Sequence, residues 1–138
     1  MTRLALNDAV VFAGPVAHGE IAPYYQAADL FVFSSLTDTQ GIVVLEAIAT
    51  GLPVVAIRDD AFTLMVKNGR NGFLVRPTAS PIQFARRIAV LLQDQRKWRK
   101  FAATSTQIAR AFSEEEQARK LARLYETLLR RRRHPTRR

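Results

Sequence analysis

The chain has 138 residues, of which 48% are hydrophobic, and it carries a formal net charge of +9. This length and hydrophobic content fit one domain with its own core and exclude a disordered chain. The absence of cysteine excludes a disulfide framework, thiol catalysis and cysteine-ligated zinc, and with two histidines we expect no metal and no cofactor.

The first half of the chain alternates short apolar runs with helical spacing. Residues 10–12 form an apolar run that ends in a turn signal, which is typical of a buried strand. A short helix is predicted over residues 19–28, and residues 29–35 read as a strand buried on both faces of a parallel sheet. A polar loop over residues 36–40 then leads to an apolar helix that starts near Gly41.

The second half continues this alternation. Strands are predicted at 53–57 and 73–75, and helices at 61–67, from 80 onward, at 97–111 and at 113–132. Strands that alternate with helices indicate an α/β fold with a doubly wound parallel sheet and right-handed crossovers. Ligands bind such sheets beyond the carboxyl ends of the strands, where the loop at 36–40 is expected to lie.

One carboxylate, Glu46, stands alone in the otherwise uncharged stretch 39–57. The predicted helix around it is apolar on every side, so we expect it to be buried. An unpaired carboxylate in such a place costs several kcal/mol unless it accepts hydrogen bonds. Either the protein or a ligand must supply the partner.

The start of this helix has the features of an anion site. Residues 40–43 would offer unpaired backbone N–H groups at a helix N-terminus, which suits a phosphate. Glu46, roughly one turn further along, could accept hydrogen bonds from a sugar diol, and Asp38 could contact the other side of a diphosphate. These residues suggest a nucleotide sugar as the ligand.

Four stretches carry a resemblance to a known family. They are Val-Phe-Ala-Gly-Pro-Val at 11–16, Tyr-Tyr-Gln-Ala-Ala-Asp-Leu-Phe-Val-Phe-Ser-Ser at 24–35, the acid pair Asp38 and Glu46, and Glu-Ala-Ile-Ala-Thr-Gly-Leu-Pro-Val-Val at 46–55. Together they resemble the family 4 retaining glycosyltransferases of the GT-B fold, in the second half of their C-terminal, donor-binding domain. The resemblance implies transfer of a hexose, with retention, from a nucleotide diphosphate sugar, with uridine as the expected base.

The resemblance also implies a role for each matched residue, and it assigns no catalytic residue. The implied contacts are the ribose with Glu46, the donor sugar with Asp38, Thr39 and Gln40, the diphosphate with Gly41, Ile42 and Val43, and the base with the loop containing Gly14 and Val16. Asp38 stands where the family usually has the longer Glu, which leaves the donor hexose open. The stretches 38–41 and 58–60 look closest to the membrane-lipid glucosyltransferases that act on diacylglycerol, so a membrane lipid is the expected acceptor.

The family's acceptor-binding N-terminal domain and the first strands of its donor domain have no counterpart in this sequence. We therefore expect a partial Rossmann-like domain over residues 1–129, which is incomplete alone and pairs with that acceptor domain or with a separate subunit. A non-catalytic interaction module, paired with a separate acceptor-binding polypeptide, is the alternative.

The basic character of the chain lies in its last nine residues. Six of the 21 basic residues fall within 130–138, and the remaining 15 nearly balance 12 acidic residues. This tail fits a solvated helix end, an anionic membrane surface or, as a third function, nucleic acid, although the lack of interleaved aromatic residues disfavours nucleic acid. Without a signal peptide or an apolar run of about 20 residues, we expect a cytoplasmic protein, peripheral on the inner face of the membrane.

Overall fold

The computed structural model describes residue 6 and residues 8–133, with the backbone alone for residues 131–133. It has an α/β fold around a parallel three-stranded sheet, as the sequence predicts. The strands, in spatial order, are β1 (Phe31–Phe33), β2 (Val54–Ile57) and β3 (Gly72–Val75). Val54 lies opposite Phe31 on one side and Gly72 on the other, so β2 is the central strand.

In residues 6 and 8–133, five α-helices accompany the sheet. They are α1 (Ala22–Ala27), α2 (Ile42–Ala49), α3 (Pro81–Gln93), α4 (Gln95–Arg110) and α5 (Glu114–Arg133), with single 3-10 turns at His18–Glu20 and Asp60–Phe62. Local chemistry sets several ends: Ser80 and Gln83 form a reciprocal capping box at the start of α3, and Gly51 follows α2 with a left-handed φ of 89°. Within the described residues, no helix combines the length and apolar character required to cross a bilayer.

The core has two halves, one on each face of β2. Val54 and Ala56 pack with α2 residues and Phe62 on one face, whereas Val55 and Ile57 pack with Leu91 of α3 and other residues on the opposite face. Alternate residues of a strand point to opposite faces, so burial of all four β2 residues requires a layer on each side. The central strand therefore holds α2 and its preceding loop at a fixed place on the sheet.

The predicted strand at 10–12 is wrong. These residues join no sheet in the structure, and Val11 and Phe12 are 90% and 78% exposed. A short apolar run becomes a strand only when a neighbouring strand supplies hydrogen bonds and another layer covers its side chains. In the described part of the chain, β1 pairs with β2 alone, so no strand lies beside residues 10–12.

Three further elements differ from their prediction in extent or in burial. The strand at 29–35 shrinks to β1 and is not buried on both faces, because Val32 is 44% exposed. The helix at 61–67 reduces to the 3-10 turn at Asp60–Phe62. The α2 helix, predicted to be buried on every side, is buried at Val44, Ala47 and Ile48 but leaves Ile42 54% exposed. The described residues pack against one side of this helix.

The predicted boundary between residues 129 and 130 stays a prediction. Helix α5 runs through it to Arg133, and residues 134–138 of the predicted tail lie outside the described residues.

Candidate functional site

The candidate site lies at the carboxyl end of the sheet, between β1 and α2. The loop that joins them borders a cavity of about 530 Å³, which we call the loop cavity. It is lined by Leu36, Thr37, Asp38, Thr39 and Asp59. Asp59 follows β2, so two adjacent strands contribute to the cavity, as expected for ligand sites in sheets of this kind.

Asp38 organises the loop with one of its two carboxylate oxygens. Its Oδ1 accepts the backbone N–H of Gly41 at 2.6 Å and that of Gln40 at 2.9 Å. These two bonds, the one from Gly41 first, hold the pKa of the Asp38 carboxyl below its usual range. Its Oδ2 accepts no hydrogen bond from the described residues, so this oxygen remains available to a ligand.

Gly41 is required by the local packing. Its φ is 65°, and a Cβ placed on it would lie 2.6 Å from Cε of Met65 and 3.0 Å from Cδ1 of Phe62. Buried side chains of Met65 and Phe62 therefore approach the backbone closely at Gly41. Because its N–H donates to Asp38, Gly41 is not one of the free donors at this helix end.

The free donors are the next two residues. Gly41 O accepts from Val44 and Leu45, whereas the N–H groups of Ile42 and Val43 have no acceptor among residues 6 and 8–133. They are the orphan donors of the first turn of α2. Ile42 is 54% exposed, so an anion can reach this end of the helix.

Glu46 finds its partner within the protein. Tyr25 Oη donates to Glu46 Oε2 at 2.9 Å, and His18 Nδ1 lies 3.7 Å from Glu46 Oε1. Burial, then the hydrogen bond and the charge of Glu46, raises the pKa of Tyr25 to about 12. The Glu46 side chain is still 23% exposed, so a ligand can approach the carboxylate that Tyr25 holds.

The structure places the remaining predicted residues around these groups. Thr39 and Gln40 are exposed in the loop, Gly14 is exposed with a φ of 73°, and Val16 is partly buried. Val16 stands two residues before His18, whose ring is close to Glu46. Nowhere in the described ranges do three or more histidine, aspartate or glutamate side chains gather closely enough to hold a metal ion.

Sequence reasoning missed two of these contacts. Tyr25 and Asp59 entered the sequence argument only as parts of the family-like stretches 24–35 and 58–60. Asp59 caps the 3-10 turn by accepting the N–H of Ala61 at 2.9 Å while it lines the loop cavity. The signal for Asp59 was available, since a polar residue just beyond the end of a buried parallel strand lies at the ligand-binding edge.

A profile of the glycosyl transferases group 1 family matches residues 1–94. Among curated proteins, the D-inositol 3-phosphate glycosyltransferase of Corynebacterium urealyticum is 36% identical over 126 residues, which is 91% of this chain and 30% of that protein. The alpha-monoglucosyldiacylglycerol synthase of Acholeplasma laidlawii is 44% identical over 59 residues, 43% of this chain and 15% of that protein. The chain thus spans less than a third of the length of either relative.

A solved structure agrees with the sequence comparisons. HepE from Anabaena, determined in complex with UDP, superposes with a TM-score of 0.80 at 30% identity, covering 91% of this chain and 34% of that chain. HepE has also been determined with UDP-glucose. These matches do not favour an interaction module or a nucleic-acid-binding protein. The chain belongs to the glycosyl transferases group 1 family and has the fold of the GT-B glycosyltransferases.

Proposed function

We propose that this chain forms one side of the donor site of a retaining glycosyltransferase that transfers a hexose from a nucleotide diphosphate sugar. The observation that carries the proposal is the arrangement along α2. Two unpaired N–H groups, of Ile42 and Val43, open the helix, and the carboxylate of Glu46 follows about one turn later. At a rise of about 1.5 Å per residue, this spacing separates a diphosphate from a ribose by roughly 6 Å.

Each donor group has a candidate partner in this arrangement. The diphosphate lies on the first turn of α2, where the N–H groups and the helix dipole favour negative charge, and Gly41 shapes this turn. The ribose hydroxyls donate to Glu46, and the sugar hydroxyls donate to the unengaged Oδ2 of Asp38, beside Thr39 and Gln40. The base lies near Gly14 and Val16.

Uridine is the proposed base of the donor. The HepE structures, which contain UDP and UDP-glucose, support this choice, because HepE is similar over 91% of the present chain. No metal or cofactor is part of the proposal. The helix end and the rest of the donor domain would neutralise the diphosphate charge instead.

We propose that an N-terminal acceptor-binding domain, or a separate subunit, supplies the acceptor side of the reaction and completes the enzyme. The similarity to the Acholeplasma laidlawii synthase, named for a glucosyldiacylglycerol, supports a membrane lipid as acceptor. A cytoplasmic enzyme with such an acceptor would work at the inner membrane surface, where the arginines of residues 130–138 would favour anionic lipids.

The test is a calorimetric titration of UDP into the chain and its variants. Glu46→Gln removes the charge that accepts the ribose hydroxyls, so we expect UDP affinity to fall by about tenfold or more. Glu20→Gln removes an exposed carboxylate outside the site and is the matched control. Equal UDP affinity of the two variants would reject the role of Glu46, and no UDP binding by the unsubstituted chain would reject the half-site itself.

A further inference from the structure

A second cavity lies at the ends of β2 and β3, beside α3. Its volume is about 1080 Å³, and it opens between the end of β3, the segment that follows it, and α3. Four of its lining residues are arginines, namely Arg58, Arg76, Arg86 and Arg87. None of its lining residues carries a carboxylate. We call it the arginine cavity.

The fold itself brings these four side chains together. Arg58 directly follows β2 and Arg76 directly follows β3, and these strands are parallel neighbours. Arg86 and Arg87 lie on α3, which packs on the same two strands. Residues that follow two neighbouring strands and residues of one helix thus line the same cavity.

The arginines have no acidic partner in the part of the chain that the structure describes. The ion pairs found there involve other residues. Arg87 instead stacks over the ring of Phe73, with its guanidinium carbon 5.0 Å from the ring centroid. This contact fixes the direction of one guanidinium while leaving its N–H donors unpaired.

The arginine cavity is distinct from the loop cavity. Arg58 and Asp59 are adjacent in sequence, yet Arg58 lines the arginine cavity and Asp59 lines the loop cavity beside Asp38. No lining residue is shared between the two cavities. The acids near the proposed sugar site form no ion pair with these four arginines in the part of the chain that the structure describes.

We propose that the arginine cavity binds a phosphate-bearing anion, at a site separate from that of the donor diphosphate. Four like charges around one concavity repel each other, and a ligand with several anionic oxygens relieves this repulsion. Guanidinium groups suit phosphate because their forked N–H donors bind two oxygens at once. Thr78 and Gln83 add polar side chains to the lining. The phosphate is carried by a soluble ester or by a phospholipid headgroup, which share this chemistry.

The experiment uses the 138-residue chain and two probes. Pyrophosphate is titrated while amide signals are followed by two-dimensional NMR, and sedimentation measures binding to vesicles of phosphatidylglycerol or of phosphatidylcholine. The cavity variant is Arg76→Gln with Arg86→Gln. The control variant, Arg96→Gln with Arg99→Gln, removes the same charge from exposed positions of α4 outside the cavity. Signal dispersion in each spectrum verifies that the variants are folded.

We expect pyrophosphate to shift the amide signals of Thr78 and Gln83, with an affinity that falls by about tenfold or more in the cavity variant and by less than about twofold in the control. Binding to phosphatidylglycerol vesicles that is lost in the cavity variant alone, without a pyrophosphate effect, would support the headgroup as the source.

Three results would overturn the proposal. They are equal weakening in the cavity and control variants, binding of neither probe, and pyrophosphate shifts confined to Ile42 and Val43. The last result would support the proposed donor site and reject the proposed phosphate site in the arginine cavity. The two proposals can therefore fail separately.

Discussion

Tyr25 Oη donates a hydrogen bond to Glu46 Oε2 at 2.9 Å and so connects the short helix before β1 to the middle of α2. The Tyr25 ring is itself fixed, because it packs edge-on against Phe31 with the ring centroids 5.8 Å apart. The carboxylate of Glu46 is therefore held in one orientation before any ligand arrives. Its other oxygen, Oε1, accepts no hydrogen bond from the described residues and is the one that we propose for a ribose hydroxyl.

Removal of this hydroxyl tests whether Tyr25 positions Glu46. In Tyr25→Phe the ring remains but Glu46 loses its donor, so we expect UDP affinity to fall by about tenfold, the usual scale for a hydrogen bond to a charged group. Tyr24→Phe is the matched control, since Tyr24 is the neighbouring residue and is 54% exposed. Calorimetric titration of UDP gives both affinities, and the same loss in the two variants would show that Tyr25 has no special role. When Glu46→Gln is already present, Tyr25→Phe should lower UDP affinity by a smaller factor than it does in the unsubstituted chain.

The burial of Tyr25, together with this hydrogen bond, predicts a pH dependence of stability. The pKa of Tyr25 is raised from 10.0 to about 12 in the folded protein, so folding favours the protonated phenol. The resulting stabilisation is complete below the unfolded pKa and is lost as pH rises through the folded pKa. We expect the difference in unfolding free energy between the unsubstituted chain and Tyr25→Phe to shrink as pH rises from 10.0 to about 12. Urea unfolding across that range measures it, and a constant difference would contradict the raised pKa.

The strands and helices of the chain were largely predictable where local signals and burial agree. Ser80 and Pro81 at the start of α3, Gly51 after α2 and the apolar run of β2 each give a local physical cause, and the helix from 80 onward and the strand at 53–57 appear close to their predicted positions. Residues 10–12 have the same kind of apolar run, but a strand also needs a neighbour, which composition cannot supply. Pairing is a long-range property, so the prediction failed there.

The candidate site was also predictable only in part from the sequence. Glu46 was identifiable as a lone acid in an apolar stretch, and the sequence argument correctly required a partner for it. The identity of that partner was not predictable, because Tyr25 lies 21 residues away and approaches only when α1 and α2 pack together. Similarly, the engagement of Gly41 N–H by Asp38 depends on the loop conformation, and it leaves fewer free donors than the sequence suggested.

Substitutions at Asp38 separate its two roles. Asp38→Asn keeps the oxygen that accepts from Gln40 and Gly41 but replaces the free carboxylate oxygen with an amide nitrogen. We therefore expect UDP affinity to be unchanged and UDP-glucose affinity to fall by roughly fivefold or more, because the sugar hydroxyls lose a charged acceptor. Asp38→Ala removes both roles and should weaken binding of both ligands. Parallel titrations with UDP and UDP-glucose test this. If Asp38→Asn binds UDP-glucose normally, Asp38 acts on the loop alone.

Gly41 and Gly69 offer a comparison of two left-handed glycines, with φ of 65° and 77°. In Gly69→Ala the new methyl group meets open space, so the cost is the backbone strain of about 1 kcal/mol. In Gly41→Ala the same strain is joined by overlap with Met65 and Phe62. The Met65 methyl can swing aside, but Phe62 is fully buried, so we expect a further loss of about 1–3 kcal/mol. Urea unfolding of both variants measures the difference, and equal destabilisation would show that the loop at Gly41 relaxes without strain.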